Sequence, residues 1–458
     1  MENLVFLLVH NLLLLISFFN LNYLSVVSFY NFLFIYLLLL FNDSSFSSLV
    51  FNSLYFSLGS LNYLFVLLVV LVFFLLYVLE YLNLSYSLFY VISLLSFFVS
   101  LFYTCNSLLY VFICFEFSFF LLYLVIVVWG YNPERIEAVS YFLIYSFCGS
   151  LPIFFAVSFM IVMSDSSLFV GSLFGVLEYS FGYSSLGLEW LFVFYFLVII
   201  LGFFFKFPIW GLHSWLPKAH VEAPVLGSVL LAALMVKLGV YGIIRYFSSL
   251  FGFSFVSFIF PFLFVYLSFS VFMSNFSTTR QFDNKSFIAY SSIVHMTMIA
   301  LTFWSGSLLS LFSALILSFS HGLISLGLFV SSGYMYSLTH SRSFYLNRGY
   351  LYIYSLFVFL LSVLLVFNCS FPLSLGFFSE VIFIYLCSNV SFFSYIFMVF
   401  NVIFCGFYCV LFYLFVSLGF GSYTVSFSLI SDFSVYFSLF VVSLVCVLMM
   451  LALSFLIF

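Results

Sequence analysis

Apolar stretches long enough to cross a lipid bilayer follow one another along the whole chain. A bilayer core of about 30 Å needs about 20 apolar residues per helix, and a helix there satisfies its own backbone hydrogen bonds. Dividing the sequence at its polar, proline and glycine breaks predicts about 14 helices: 4–20, 22–41, 62–80, 86–104, 108–129, 138–163, 189–218, 222–247, 254–274, 286–304, 307–335, 350–388, 393–418 and 433–457. We therefore predict an all-α polytopic membrane protein that forms a single membrane domain over residues 1–458.

Charge is too scarce for a soluble protein. Only 5% of the 458 residues are charged, whereas a typical soluble domain has roughly 25%. The net charge of −4, without a basic cluster, argues against nucleic-acid binding.

The eight cysteines are scattered through apolar runs, so we expect neither a disulfide framework nor a metal site. The first 20 residues lack the basic region of a signal peptide, so we expect the first helix to be retained.

Two of the predicted helices are too long for one straight span, and each contains a proline near its middle. The first is 189–218 with Pro208, and the second is 350–388 with Asn368 and Pro372. Proline removes a backbone hydrogen bond and kinks or breaks a helix. Paired broken helices are typical of transporters with inverted repeats and an ion site at mid-membrane. The alternative is that each stretch is two ordinary helices or one kinked helix.

The distribution of Lys and Arg predicts the orientation in the membrane. Connections that run from an odd to an even predicted helix hold six of the nine cations, namely Arg135, Lys218, Arg280, Lys285, Arg342 and Arg348. Arg245 alone falls on the opposite side. Loops rich in Lys and Arg remain on the matrix or cytoplasmic side. With 14 helices, both termini then lie on the other side.

Four ionisable residues interrupt the apolar helices. They are Glu116, Lys206, Lys237 and Glu380. A charge at the centre of a membrane helix costs roughly 2.5–3.5 kcal/mol, and such residues usually mark an ion or proton pathway. Two acids and two bases suit a paired chain through the protein interior. The alternative is a set of structural ion pairs or snorkelling side chains near helix ends.

Four histidines add groups that can carry protons. His213 and His220 follow Lys206 on the broken helix and its exit, and His295 and His321 lie early in predicted helices ten and eleven. Histidine exchanges a proton readily because its ordinary pKa is about 6.5. The alternative for each is a hydrogen-bonded core residue. His10 and His340 are predicted to be interface residues.

Residues 206–245 read KFPIWGLHSWLPKAHVEAPVLGSVLLAALMVKLGVYGIIR. This stretch resembles the signature of the antiporter-like subunits of respiratory complex I, and specifically subunit 4 of NADH dehydrogenase. Further blocks resemble the same family: Glu116 with 129–152, 283–296, 320–322 and 339–342. The sequence departs from the family pattern at Leu121, where proline is usual, at Gly376, where asparagine is usual, and at Ser337-Leu338, where an acid–arginine pair is usual. The departure at Gly376 is expected to change hydration around Glu380.

The resemblance implies two inverted five-helix repeats and a role for each buried charge. The repeats would be 86–247 (predicted helices four to eight) and 254–418 (nine to thirteen), preceded by 1–85 with helices one to three and followed by the last helix, 433–457. Glu116 and Lys206 would act as a coupled pair, Lys237 as the central relay and Glu380 as the terminal relay. An acid at the last position points to subunit 4.

These observations predict a proton-translocating membrane-arm subunit of NADH:ubiquinone oxidoreductase. We expect no cofactor in this chain, because it has no dinucleotide-binding glycine motif and no iron–sulfur cysteine spacing. Ubiquinone, FMN and the iron–sulfur clusters would lie in partner subunits, and the neighbours would be antiporter-like subunits 2 and 5 and membrane lipid. The 77 Phe indicate a T-rich organellar coding strand, which favours a mitochondrial inner membrane. The Lys and Arg asymmetry then places both termini in the intermembrane space. The alternatives are an Mrp-type cation/proton antiporter subunit and a structural membrane scaffold.

Overall fold

The computed structural model describes residues 60–80, 86–105, 107–130, 132–164, 197–247, 256–303, 308–372, 374–419 and 429–457. These residues form helices and contain no β-strand. Six of their helices are long and apolar enough to cross a membrane, and several shorter apolar helices accompany them. The predicted all-α membrane class is therefore confirmed. The predicted helices 4–20 and 22–41 lie outside the described residues.

The chain divides into two compact units, one of residues 1–122 and 154–188 and the other of 123–153 and 189–458. In the first unit, α1 (Ser60–Glu80) packs on α2 (Tyr86–Thr104). The ring of Phe65 stacks on that of Tyr103 with 5.2 Å between centroids. Helix α3 (Leu108–Trp129) and α4 (Arg135–Ser164) each extend across the division in sequence. Helix α4 continues through Pro152 without a break.

The remaining helices belong to the second unit. In order they are α5 (Leu197–Lys206), α6 (Trp215–Glu222), α7 (Val225–Leu230), α8 (Val236–Phe247), α9 (Val256–Thr278), α10 (Asn284–Phe303), α11 (Leu308–Thr339), α12 (Tyr350–Ile353), α13 (Ser355–Asn368), α14 (Leu375–Val390), α15 (Phe392–Ser417) and α16 (Leu429–Ile457). A π-helical segment, Leu231–Met235, joins α7 to α8. Lys218, which was predicted to lie in a connection, instead lies within α6, because a separate short helix forms after Ser214.

Helix α11 is the central helix of the second unit. It packs against α7 and the π segment, α10, α13, α14 and α16. One apolar window of 18 residues within each of the spans 225–245 and 309–339 is entirely buried in the protein, whereas only 33% of the α15 window and 28% of the α16 window are buried. A polar group within the two fully buried windows is therefore shielded from lipid, and this shielding is what a buried charge requires.

Two interruptions in the helices of the second unit coincide with polar and proline residues. Helix α5 ends at Lys206, and turns containing Pro208 occupy 207–214 before α6 begins at Trp215. Helix α13 ends at Asn368, and α14 begins at Leu375. Residues 189–196 of the first predicted long stretch lie outside the described part.

Candidate functional site: a buried lysine and histidine cluster

Lys237 lies at the start of α8 and its side chain is completely buried. Its Nζ donates a hydrogen bond to the carbonyl oxygen of Ala232, and it lies 2.8 Å from Nδ1 of His321 on α11. With the lysine protonated, Nζ donates and Nδ1 accepts. With the lysine neutral, a protonated Nδ1 can donate to Nζ. The contact is thus compatible with a proton on either residue.

The backbone before Lys237 is arranged as a π turn. The amide of Val236 donates to the carbonyl of Leu231, five residues back, in place of the usual four-residue spacing. Such π segments are rare in proteins, and those that occur often lie at functional sites. Here the lysine is the second residue after the segment, and the carbonyl of Ala232 within the segment accepts a hydrogen bond from the lysine Nζ.

His295 of α10 lies next to His321, with 5.3 Å between the ring centroids. His295 is 3% exposed, and within the described part of the chain neither of its ring nitrogens has a hydrogen-bond partner. His220 of α6 is fully buried with its ring stacked on Phe329 of α11, at 4.6 Å between centroids. Its two nitrogens likewise have no partner among the described residues. Ring packing against His321 and Phe329 holds the two imidazoles in place.

Glu380 lies on α14 and is 4% exposed. The hydroxyl of Ser370, in the interruption between α13 and α14, donates to its Oε1 at 2.6 Å. His295 is close enough to Glu380 to interact with it electrostatically. The predicted residues Lys237, His321, His295 and Glu380 are therefore brought together in the second unit from four different helices.

Three buried charges near the basic connections were not singled out as site residues from the sequence. Arg342 forms an ion pair with Glu222 at 3.2 Å, and the two side chains are 17% and 6% exposed. Lys285, at the start of α10, is 4% exposed and donates to the carbonyl of Ala223 at 3.0 Å. In the sequence these residues look like ordinary loop cations and a helix-end acid. Only the Pro224 break beside Glu222 hints that this turn is buried.

The other predicted residues lie on further elements. Glu116 is partly buried on α3 in the first unit. Lys206 is 2% exposed at the end of α5 in the second unit. His213 is half-buried, accepts from the amide of Gly211 at 3.2 Å and stacks on Trp210 at 4.6 Å. Among the described residues, His213 therefore makes no hydrogen bond to Lys237 or Lys206.

The buried lysine, histidines and carboxyl can exchange protons but offer no set of metal ligands. Within the described residues, no group of three or more His, Cys, Asp or Glu is placed to hold a metal ion.

The family model described as "NADH:quinone oxidoreductase/Mrp antiporter, TM" matches residues 105–405, which is more than half of the chain. The chain belongs to this family. The match covers α3 to the middle of α15, and so every predicted site residue.

Known members of the family give more specific likenesses. The protein named NADH-ubiquinone oxidoreductase chain 4 of Mytilus edulis is 39% identical over 263 residues, which are 57% of this chain and 57% of that protein. The protein of the same name from Lumbricus terrestris is 35% identical over 277 residues, which are 60% and 58%. The matched part thus spans little more than half the length of these curated relatives.

A solved structure shows the same fold. A chain in the structure titled "Respiratory complex I from Thermus thermophilus with bound NADH" matches with a TM-score of 0.83, covering 97% of this chain and 94% of that one. The two sequences are 20% identical, so the likeness concerns the fold alone. The resemblance stated from residues 206–245 is confirmed by the family match.

Proposed function

We propose that this chain is a proton-translocating membrane-arm subunit of NADH:ubiquinone oxidoreductase, corresponding to the antiporter-like subunit 4. The observation that carries the proposal is the contact between Lys237 Nζ and His321 Nδ1, two side chains that are 0% and 3% exposed. A protein that only needs to pack has no reason to bury a lysine against a histidine, because burying charge there is costly. A proton path does need two neighbouring groups that each bind and release a proton.

In this proposal, protons move along the buried residues of the second unit. Lys237 is the central group, His321 and His295 relay the proton, and Glu380 is the terminal group. His220 is a further relay on α6. Glu116 and Lys206 are retained as a coupled proton-transfer pair on the strength of the family resemblance, and His213 as a relay because imidazole exchanges protons readily. The full 14-helix arrangement, its two inverted repeats and its discontinuous helices at Pro208 and Pro372 belong to the same proposal.

The chain's own residues supply no redox chemistry in this proposal. Ubiquinone, FMN and iron–sulfur clusters are assigned to partner subunits, and antiporter-like subunits 2 and 5 are the proposed neighbours in the membrane. The relatives are named NADH-ubiquinone oxidoreductase chain 4, and this name supports an assembly of the chain with other subunits of that complex. Their animal sources support a mitochondrial inner membrane. The Lys and Arg distribution in the sequence supports both termini on the intermembrane-space side.

The experiment is to purify the native membrane complex through this chain and to measure NADH oxidation and proton uptake in vesicles. We expect flavin and NADH:ubiquinone activity to co-purify with the chain. In an assembled Lys237→Ala complex, we expect proton pumping to be strongly reduced. Lys237→Arg should also pump poorly, because a guanidinium remains protonated. Full pumping by an assembled Lys237→Ala complex would contradict the proposal.

A second candidate is an Mrp-type cation/proton antiporter subunit, because the matching family model covers both kinds of protein. That candidate predicts cation/proton exchange in vesicles without NADH. It also predicts that the chain purifies without flavin. The same purification therefore separates the two functions.

A further inference from the structure

Helix α13 ends in a cap whose left-handed position is occupied by an unusual residue. The amide of Phe371 donates to the carbonyl of Val366, and the amide of Ser370 donates to that of Phe367. These two bonds form a Schellman cap, whose left-handed residue is usually glycine. Ser370 occupies this position with φ of 53°. A side chain is thus present where helix ends ordinarily have none.

The side chain of Ser370 is directed at Glu380. Its hydroxyl donates to Oε1 at 2.6 Å, and both residues are nearly completely buried. Within the part of the chain that the structure describes, this is the one hydrogen bond to the Glu380 carboxyl. The left-handed backbone aims the hydroxyl, because the same residue in a helical conformation would continue the direction of α13.

Gly376, on the first turn of α14, leaves room for this hydroxyl. A Cβ built at Gly376 would lie 2.9 Å from Ser370 Oγ and 3.5 Å from Ser370 Cβ. Real Cβ atoms essentially never come within 3.0 Å of another heavy atom, so a larger residue at 376 would force the hydroxyl to move. The glycine and the serine therefore fit each other as a pair.

We propose that Ser370 is a positioning residue for the Glu380 carboxyl and that Gly376 leaves the space that the Ser370 hydroxyl occupies. The proposal rests on the proposed role of Glu380 as the terminal proton-transfer group. The hydroxyl holds Oε1 in one place and leaves Oε2 to bind and release the proton. The titratable groups that interact electrostatically with Glu380 are His295 of α10, Cys405 and Tyr408 of α15, and Cys369 beside the cap. His295 is the group from which a proton would come.

The test compares three variants in the assembled complex reconstituted in vesicles: Ser370→Ala, Gly376→Ala and the double variant. Ser370→Ala keeps the Cβ and its left-handed backbone and removes only the hydroxyl. We expect it to lower proton pumping by about threefold to tenfold, the range that loss of one buried hydrogen bond gives. Gly376→Ala should lower pumping comparably. The double variant should pump at least as well as the single variant that pumps less, because the added methyl group then has no hydroxyl to displace.

Infrared spectroscopy supplies a measurement that a loss of structure alone would not reproduce. The carbonyl band of protonated Glu380 is identified by its absence in Glu380→Gln. We expect Ser370→Ala to move this band to higher frequency, since the carbonyl loses a hydrogen bond. The matched control is Ser379→Ala, which removes a buried hydroxyl that donates to the carbonyl of Gly376 and not to Glu380. It should leave the band in place.

The outcomes separate this proposal from the proposed function. Normal pumping and an unmoved band in Ser370→Ala, together with blocked pumping in Glu380→Gln, would overturn the role of Ser370 and leave that of Glu380 standing. Normal pumping in Glu380→Gln would overturn both. Additive losses in the double variant would show that Gly376 acts in some other way and would overturn the pairing.

Discussion

The Nζ of Lys237 forms a hydrogen bond with Nδ1 of His321, and a substitution at either residue removes this contact. We predict that His321→Gln retains assembly but lowers proton pumping at least tenfold, because glutamine can hydrogen-bond to Lys237 but cannot carry a proton. The measurement is proton uptake per NADH oxidised in vesicles. The control is His340→Asn: His340 is exposed with φ of 52°, a conformation that asparagine tolerates. Equal pumping by both variants would exclude His321 from the path.

The buried ion pair of Arg342 and Glu222 provides a prediction about stability. Removing one partner of a buried pair leaves the other charge uncompensated and costs about 3–5 kcal/mol. We therefore predict that Arg342→Ala lowers the thermal unfolding temperature of the detergent-solubilised complex. The contrasting pair is Lys218 and Glu137, whose side chains are 42% and 64% exposed. Lys218→Ala should leave the unfolding temperature unchanged, because solvent screens exposed pairs.

A double variant shows whether charge is what Arg342 contributes. In Arg342→Met with Glu222→Gln, no charge of the pair remains buried, so part of the lost stability should return. If the double variant is no more stable than Arg342→Ala, the ion pair is not the source of the effect, and the packing of the arginine stem is.

At the scale of helices, the close approach of α7 to α11 depends on Gly333. A Cβ at this position would lie 2.6 Å and 2.8 Å from the two Cγ atoms of Val225, whose branched side chain is stiff. We predict that Gly333→Ala destabilises the protein by about 1–3 kcal/mol, the usual cost of overpacking. The unfolding temperature of the detergent-solubilised complex measures this loss of stability.

The matched control for this prediction is Gly406→Ala on α15. A Cβ at Gly406 meets no atom within 4 Å, and alanine is the better helix former. Gly406→Ala should therefore be neutral or slightly stabilising. A similar loss of stability in both variants would show that the contact with Val225 is not the cause of the effect.

At the scale of the whole molecule, the basic connections and the termini are predicted to face opposite sides of the membrane. In mitoplasts, a peptide tag after Phe458 should be digested by added protease, whereas a cysteine introduced as Tyr345→Cys should resist a membrane-impermeant thiol reagent. Tyr345 is 61% exposed and lies beside the basic residues Arg342 and Arg348. Labelling of the cysteine in intact mitoplasts would reverse the proposed orientation. A cysteine-free background removes the eight native thiols from the measurement.

Several features were predictable because they depend on neighbours in the sequence. The predicted helices 86–104 and 108–129 agree with α2 and α3 at both ends, since charge and polar breaks bound them closely. The ends of 254–274 and 307–335 were placed several residues too early, because α9 and α11 continue through serine and threonine that still satisfy the helix. Lys237 and Glu380 stood out because a charge within an apolar run costs energy wherever the helix packs.

The tertiary structure decided which buried groups meet and which residues around them matter. Lys237 and His321 are 84 residues apart, and Glu222 and Arg342 are 120 apart, so no local pattern predicts either contact. The π turn at 231–235 has the composition of an ordinary helix, and Ser370 gains its role only from a left-handed backbone. Local hydropathy determined that this chain forms membrane helices with a few costly charges in them. The packing of distant helices decided where each charge finds its partner, because a side-chain contact depends on three-dimensional distance and not on sequence separation.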